Sequence, residues 1–569
     1  MAYLRLLWKE SRQDCIRLIV VNVFSGLLQA ALAAIIIYSA GAAASAVRDE
    51  KMGSYLAYLY KDNIAQTSFY LVLFVISIVA FLLSRRFAMI HTPKLAERII
   101  AKTRIRIIDK IRQSNLLLYE RVGKSHIYSA LQESTMTLSA SASQIATGFS
   151  SAIMLFFTIG YIGYLSLPAL VLTLIAISAG VLMYMRRIKA LTEETQKSTA
   201  KEREFLGCLD HLLDGFKEVK MHEARSQDLY ENCLVKTVQE AEEVKNQTTR
   251  HFVQLSLFAQ TFFYFLLATI VFILPSYGLK ESANIVTIAA LILFIMGPLG
   301  DVIGGFPNVL RANAAVANIE ALEATLDAAA GRVSLVEGPV VHKIVSRVRE
   351  IECRAVTFAY DTTVGRDTFQ LGPFDLTINA GEILFLVGGN GSGKSTLLKT
   401  LTGLYPAGSG TILWDGRPVA ARNLPSYRSL FSTIFTDFHL FDRLYGLREQ
   451  DPRKIEELLS EMELSDLVSI REGRFTTTSL STGQKKRLAL IVALLEERPI
   501  LVFDEVGADQ DPLFRKKYYE EILQELKKQG RTVIAATHDD AYFKYSDRIF
   551  RMEFGSLENV TARNNLALV

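Results

Sequence analysis

The chain is poor in cysteine. Cys15, Cys208, Cys233 and Cys353 are the only four in 569 residues. None stand at the short spacing of metal-ligand pairs, and there are too few for the dense disulfide framework of a small secreted domain. The expectation is four free thiols on a cytoplasm-facing protein. Net charge is also scarce: 63 Lys and Arg stand against 59 Asp and Glu, or +4 overall. That balance argues against nucleic acid as a main partner. No internal repeat and no low-complexity tract is present. A cleavable signal peptide is missing as well. Basic residues precede an apolar run in MAYLRLLWKESRQDCIRL, but the uncharged stretch from Ile19 to Val47 is too long for a signal core and reads as a retained membrane span.

What the chain has in quantity is apolar sequence. Half of its residues are hydrophobic, and its mean hydropathy is +0.22. A helix needs about 20 apolar residues to cross a bilayer, and the first part of the chain supplies several such runs. The uncharged stretch Ser134–Met185 is too long for one span, and Ser166-Leu167-Pro168 near its middle predicts a tight hairpin of two. Six spans are expected, near 17–47, 63–85, 138–165, 168–187, 251–276 and 282–308, with long cytoplasmic helical extensions. The outer loops are short, near 46–62, 166–168 and 276–283. Arg and Lys crowd residues 5–17, 85–112 and 186–189, so the positive-inside rule places those segments and both termini in the cytoplasm.

A membrane domain over 1–330, a linker over 331–348 and a nucleotide-binding domain over 349–569 are expected. In the last of these, apolar β-like runs alternate with helical segments, the pattern of an α/β domain with a largely parallel sheet.

The stretch 388-GGNGSGKST-396 fits a P-loop, between the apolar run EILFLV and the helical run TLLKTLTGL. Gly388, Asn390, Gly391, Ser392, Gly393, Lys394, Ser395 and Thr396 are the expected ATP-binding set. Glycines let backbone amides converge on phosphate, Lys394 reaches the β- and γ-phosphates, and Ser395 ligates Mg²⁺. The run 500-ILVFDE-505 delivers two acids at the end of a buried strand: Asp504 for Mg²⁺ and Glu505 as the base that polarises water.

The stretch 480-LSTGQKKR-487 resembles the LSGGQ signature of ATP-binding-cassette proteins, with Thr482 in place of a glycine. The resemblance covers the whole chain: six spans and one cassette is the layout of a half-size type IV exporter. It implies an α-helical six-span transmembrane domain followed by an α/β P-loop ATPase cassette with a helical subdomain. It also implies a homodimer, since one chain has no second half. Ser481, Thr482, Gly483, Gln484 and Asp511 would then serve ATP held by the partner copy. By the same resemblance Tyr360 would stack on adenine and His538 would contact the γ-phosphate. Thr436 stands where the family has a glutamine that touches Mg²⁺ and the attacking water, with Asp437 beside it as a substitute.

FTDFHLF, LSTGQKKRLAL and FDEVGADQDP together are similar to the bacterial cyclic-peptide exporter branch, which handles syringomycin, pyoverdine precursors and lasso peptides. The implied activity is ATP-driven export of a peptide from cytoplasm to periplasm across the inner membrane. Asp301, in 296-MGPLGDVIGGFP-307, is the candidate cargo residue, because charge within a span is functional by default. A lipid or multidrug exporter, a siderophore importer and a non-transporting ATP switch are the alternatives.

Overall fold

The computed structural model describes residues 2–49, 64–273, 285–330, 348–360, 369–447 and 450–561. The expected linker at 331–348 and the expected outer loops at 46–62 and 276–283 lie largely outside them. Chain contacts divide the molecule into two units. The first is Met1–Arg106 with Tyr128–Ala321, and the second is Ile107–Ile127 with Leu322–Val569.

The first unit is built of long helices. Among the described residues, four stretches are long and apolar enough to cross a membrane: Arg12–Ile36, Ser68–Gln113, His126–Leu165 and Ile285–Ala328. The fourth and fifth expected spans fall on shorter apolar helical stretches, Leu167–Met183 and Gln260–Ile273. The tight hairpin lies at Ser166, where the helix Thr135–Leu165 ends and Leu167–Asp214 begins. Ser166 is extended there, and its hydroxyl caps the new helix by accepting from the Ala169 amide. Pro168 sits in the first turn, where a missing N–H costs nothing. Ile162, Ala169, Ile270, Ile288 and Leu291 form the buried seam of this unit.

The expectation of four free thiols is corrected here. Cys208 and Cys233 are joined in a disulfide with their Cα atoms 5.9 Å apart, whereas Cys15 and Cys353 are free and buried. The helices Leu167–Asp214 and Lys236–Ala268 pack side by side, and the short segments between them fold Cys233 back onto Cys208. Sequence spacing carries no information about which helices pair, so this juxtaposition was not legible.

The second unit is α/β. Its strands are β1 (Glu350–Ala359), β2 (Gln370–Asn379), β3 (Ile383–Val387), β4 (Ser409–Trp414), β5 (Arg417–Pro418) and β6 (Phe431–Ile434). They continue with β7 (Ile470–Arg471), β8 (Arg474–Phe475), β9 (Ile500–Asp504), β10 (Thr532–Ala536), β11 (Arg548–Glu553) and β12 (Ser556–Asn559). A four-stranded antiparallel sheet has the order β2-β1-β4-β5, and a six-stranded sheet has the order β12-β11-β3-β10-β9-β6. All pairings of the larger sheet are parallel except β11 with β12.

The central strands read as unbroken apolar runs because both faces are covered. Phe385 and Phe503 point into one core, while Leu384, Leu386, Ile500 and Val502 point into the other. Full burial of such a side chain is worth about 1.5–3 kcal/mol. The helices Pro452–Glu461 and Thr482–Leu495 pack on each other beside the short β7–β8 hairpin.

Candidate functional site at the carboxyl ends of the parallel strands

Register sets the site. Ala536 of β10 lies opposite both Leu386 of β3 and Asp504 of β9, and Ile434 of β6 lies opposite Phe503. The four strands therefore finish almost level, and the loops that follow them share one edge. Ligand crevices of open α/β sheets form at this edge.

The loop after β3 is the 388–396 stretch. Gly388, Gly391 and Gly393 have φ of +150°, +77° and +108°. A Cβ on Gly388 would lie 2.3 Å from the Met552 carbonyl oxygen, and one on Gly393 would lie 2.5 Å from the Phe369 ring. These two positions exclude side chains by conformation and by space. Asn390 and Gly391 are exposed at the crest of the loop. The helix Lys394–Leu401 begins within this stretch, so its free first-turn amides face the loop.

Lys394 is buried, and its ammonium donates to the Gly388 and Gly389 carbonyls at 2.9 and 3.2 Å. His538 Nε2 lies 3.0 Å from Lys394 Nζ and 3.1 Å from Glu505 Oε1, and Lys394 stands 3.7 Å from the same Glu505 oxygen. Three expected catalytic residues from three separate loops thus meet at one point. Glu505 has φ +56°, an unfavourable backbone for a residue with a Cβ, costing about 1–3 kcal/mol. Its carbonyl is held by Lys486 Nζ at 2.6 Å.

Ser395 Oγ donates to Asp504 Oδ2 at 2.7 Å. Asp504 is 1% exposed, and among the described residues its buried Oδ1 has no hydrogen-bond partner. An orphaned carboxylate oxygen beside a hydroxyl is a donor set that suits a hard divalent cation. Thr436 is exposed, two residues beyond Ile434 at the end of β6. Tyr360 lies at the end of β1, with its hydroxyl 3.2 Å from Thr396 Oγ1 and its ring among Phe358, Phe369 and Tyr405.

The signature residues form a second cluster. Ser481 caps the helix Thr482–Leu495 in a reciprocal box: its hydroxyl accepts from the Gln484 amide, and the Gln484 side chain accepts from the Ser481 amide. Such caps are worth about 1 kcal/mol. Gln510 donates to the Gly483 carbonyl at 3.1 Å, and Arg487 bonds both Gln510 and Asp511. Asp511 also caps the helix Pro512–Lys517 by accepting from the Phe514 amide, and this bond holds its carboxyl below the usual range. Among the described residues, 481–484 make no hydrogen bond to 388–396.

Lys486, Arg487 and Phe369 were missed as site residues. Lys486 is 3% exposed and Arg487 9%. The run KKR was the available signal, but which lysine turns inward depends on helix phase against the sheet.

A P-loop joined to a parallel sheet, with a base and a histidine at the strand ends and a signature helix beside them, defines a cassette ATPase. The family model for the ABC transporter matches residues 371–508. The "ATP-binding protein SyrD" of Pseudomonas syringae pv. syringae is 32% identical over 494 residues, covering 85% of this chain and 86% of that protein. An "ATP-dependent lipid A-core flippase" of Burkholderia orbicola is 26% identical over 81% of this chain and 78% of its own length. A solved bacterial Atm1-family ABC exporter with ATP bound superposes with a TM-score of 0.76 at 17% identity, covering 96% of this chain and 95% of that one. It shares the fold. The chain belongs to the ABC transporter family, as a half-transporter in which ATP hydrolysis is coupled to transport across a membrane.

Proposed function

We propose that two copies of this chain form an exporter that moves a peptide from the cytoplasm to the periplasm across a bacterial inner membrane. The cargo class is a cyclic, lasso or siderophore-precursor peptide. Both termini and the cassettes face the cytoplasm, and the domains divide at 330 and 349 as the sequence suggests.

ATP lies on the 388–396 loop, with Tyr360 against adenine. Ser395 and Asp504 would hold Mg²⁺, with Thr436 at the position of the missing glutamine and Asp437 beside it. Bound Mg²⁺ would neutralise phosphate charge. Lys394 turns from its loop carbonyls to the phosphates. Glu505 Oε1 accepts a proton from the attacking water, and His538 orients that carboxylate and contacts the γ-phosphate. Ser481, Thr482, Gly483, Gln484 and Asp511 serve the nucleotide of the other copy. Two ATPs then close the dimer, and hydrolysis resets it.

The observation that carries hydrolysis is the meeting of Lys394, Glu505 and His538 within 3.0–3.7 Å. The peptide class rests on the cassette stretches similar to the cyclic-peptide exporter branch, and on a 32% match that extends through the membrane half. A lipid cargo is the second reading, favoured by the flippase match over 81% of the chain.

The test is ATPase turnover of the reconstituted chain with a panel of cyclic and lasso peptides, with Glu505→Gln as blank. A saturable rise with one peptide class, absent in the variant, supports the peptide reading. Stimulation by lipid A alone replaces it with the lipid reading.

A further inference from the structure

The membrane unit contains a cavity of about 320 Å³, walled by the helices Arg12–Asp49, Ile64–Gln113, Thr135–Leu165 and Ile285–Ala330. Close helix crossings frame it. A Cβ on Gly26 would lie 2.7 Å from Ile153 Cγ2, and one on Gly305 would lie 3.8 Å from the Gly148 Cα. Small residues let these backbones approach, and the space between the crossings is left to side chains.

Those side chains are unusually polar for a membrane unit. Ser150 Oγ donates to Asn22 Oδ1 at 2.6 Å, and Asn22 Nδ2 donates to the Leu18 carbonyl at 2.9 Å, so the amide is fixed from both ends. Ser151 Oγ donates to Asp301 Oδ2 at 2.8 Å. Gln29 and Arg85 also line the cavity, with the Arg85 guanidinium 5.6 Å from the Phe81 ring.

Asp301 and Arg85 line one cavity yet form no ion pair with each other. Among the described residues neither has any other charged partner. A carboxylate offers about four acceptor sites, and Ser151 fills one of them. Two opposite charges that line one polar cavity without pairing match a ligand that carries both signs. The volume is at the lower end of ligand pockets, about 300–1,000 Å³. It therefore admits one charged patch of a cargo rather than a whole peptide.

We infer that this cavity is a cargo subsite for a zwitterionic group, with the cationic end on Asp301, the anionic end on Arg85, and hydroxyl or amide groups on Asn22 and Gln29. It rests on the export reading above and narrows its cargo to one carrying adjacent opposite charges.

The test uses the full chain in phosphatidylglycerol nanodiscs, without ATP, and isothermal titration calorimetry. The probes are a cyclic hexapeptide of Ser and Gly with one Lys and one Glu, the same ring with acetyl-lysine, the same ring with Gln for Glu, and free O-phosphoethanolamine. The parent ring is expected to bind at least tenfold more tightly than either neutralised ring on the unaltered chain, a comparison that needs no variant. Asp301→Asn should lose about tenfold toward the parent ring and nothing toward the acetyl-lysine ring. Arg85→Gln should show the mirror pattern. Equal binding of all three rings overturns the subsite while leaving peptide export standing. Binding of O-phosphoethanolamine alone, lost in both variants, supports the subsite and overturns the peptide reading. No binding by any probe overturns the subsite.

Discussion

Tyr405 donates a 2.6 Å hydrogen bond to Glu120 Oε2, across 285 residues of sequence. Glu120 lies on the helix Leu116–Val122, within the segment Ile107–Ile127 that groups with the ATPase unit. Its other oxygen is 3.2 Å from Lys399, which also lies 3.7 Å from Asp437. Lys399 belongs to the helix that begins with Lys394 and Ser395. One lysine on the P-loop helix therefore joins the inserted segment to the residue beside Thr436. Glu120→Ala is expected to lower peptide-stimulated turnover and transport by about tenfold, with basal turnover within about twofold. The loss corresponds to the 1–3 kcal/mol of an unsatisfied buried partner. Equal loss of basal and stimulated turnover would count against this link.

The same bond predicts a pH response. Burial, and then the Glu120 bond, push the Tyr405 hydroxyl well above its usual value. A raised folded pKa stabilises fully below the unfolded value of about 10 and is lost only as pH climbs through the folded value. The difference in melting temperature between the chain and Tyr405→Phe should stay constant from pH 7 to about pH 10. A difference that closes below pH 9 would refute it.

Removal of the base should be severe. Glu505→Gln keeps the shape of the site but cannot accept a proton, so turnover should fall about 10²–10⁴-fold with ATP affinity retained. His538→Ala should cost less, because it orients Glu505 rather than taking the proton. Single-turnover hydrolysis beside nucleotide binding separates these outcomes.

Gly388→Ala should abolish nucleotide binding. Its Cβ would meet a backbone carbonyl at 2.3 Å, which no side-chain rotation relieves. Binding of a fluorescent ATP analogue is the readout, and near-normal affinity would show that the loop relaxes.

The disulfide makes a covalent prediction. Cys208 and Cys233 enclose a separation of 25 residues, for which chain-entropy models give about 3–4 kcal/mol. Alkylation before reduction should label Cys15 and Cys353 only after unfolding, and Cys208 and Cys233 only after reduction. Hydrogen exchange across residues 205–235 should rise in Cys233→Ser. Prompt labelling of Cys208 without reductant would contradict the pairing.

The sequence alone determined the local elements of the ATPase. ILFLV, ILVFD and TVIAA are strands because unbroken apolar runs suit positions buried on both faces, and the glycines after ILFLV announce the phosphate loop. Ser166-Leu167-Pro168 likewise marked a hairpin within an uncharged run too long for one span. These signals act over a few residues. Tertiary structure decided what meets across long separations: His538 with Glu505, Glu120 with Tyr405, Cys208 with Cys233, and Asp301 with Arg85 around one cavity. Each depends on strand register or on which helix faces lie together. Register and helix pairing are set by the summed packing of many side chains, so no single stretch of sequence contains them.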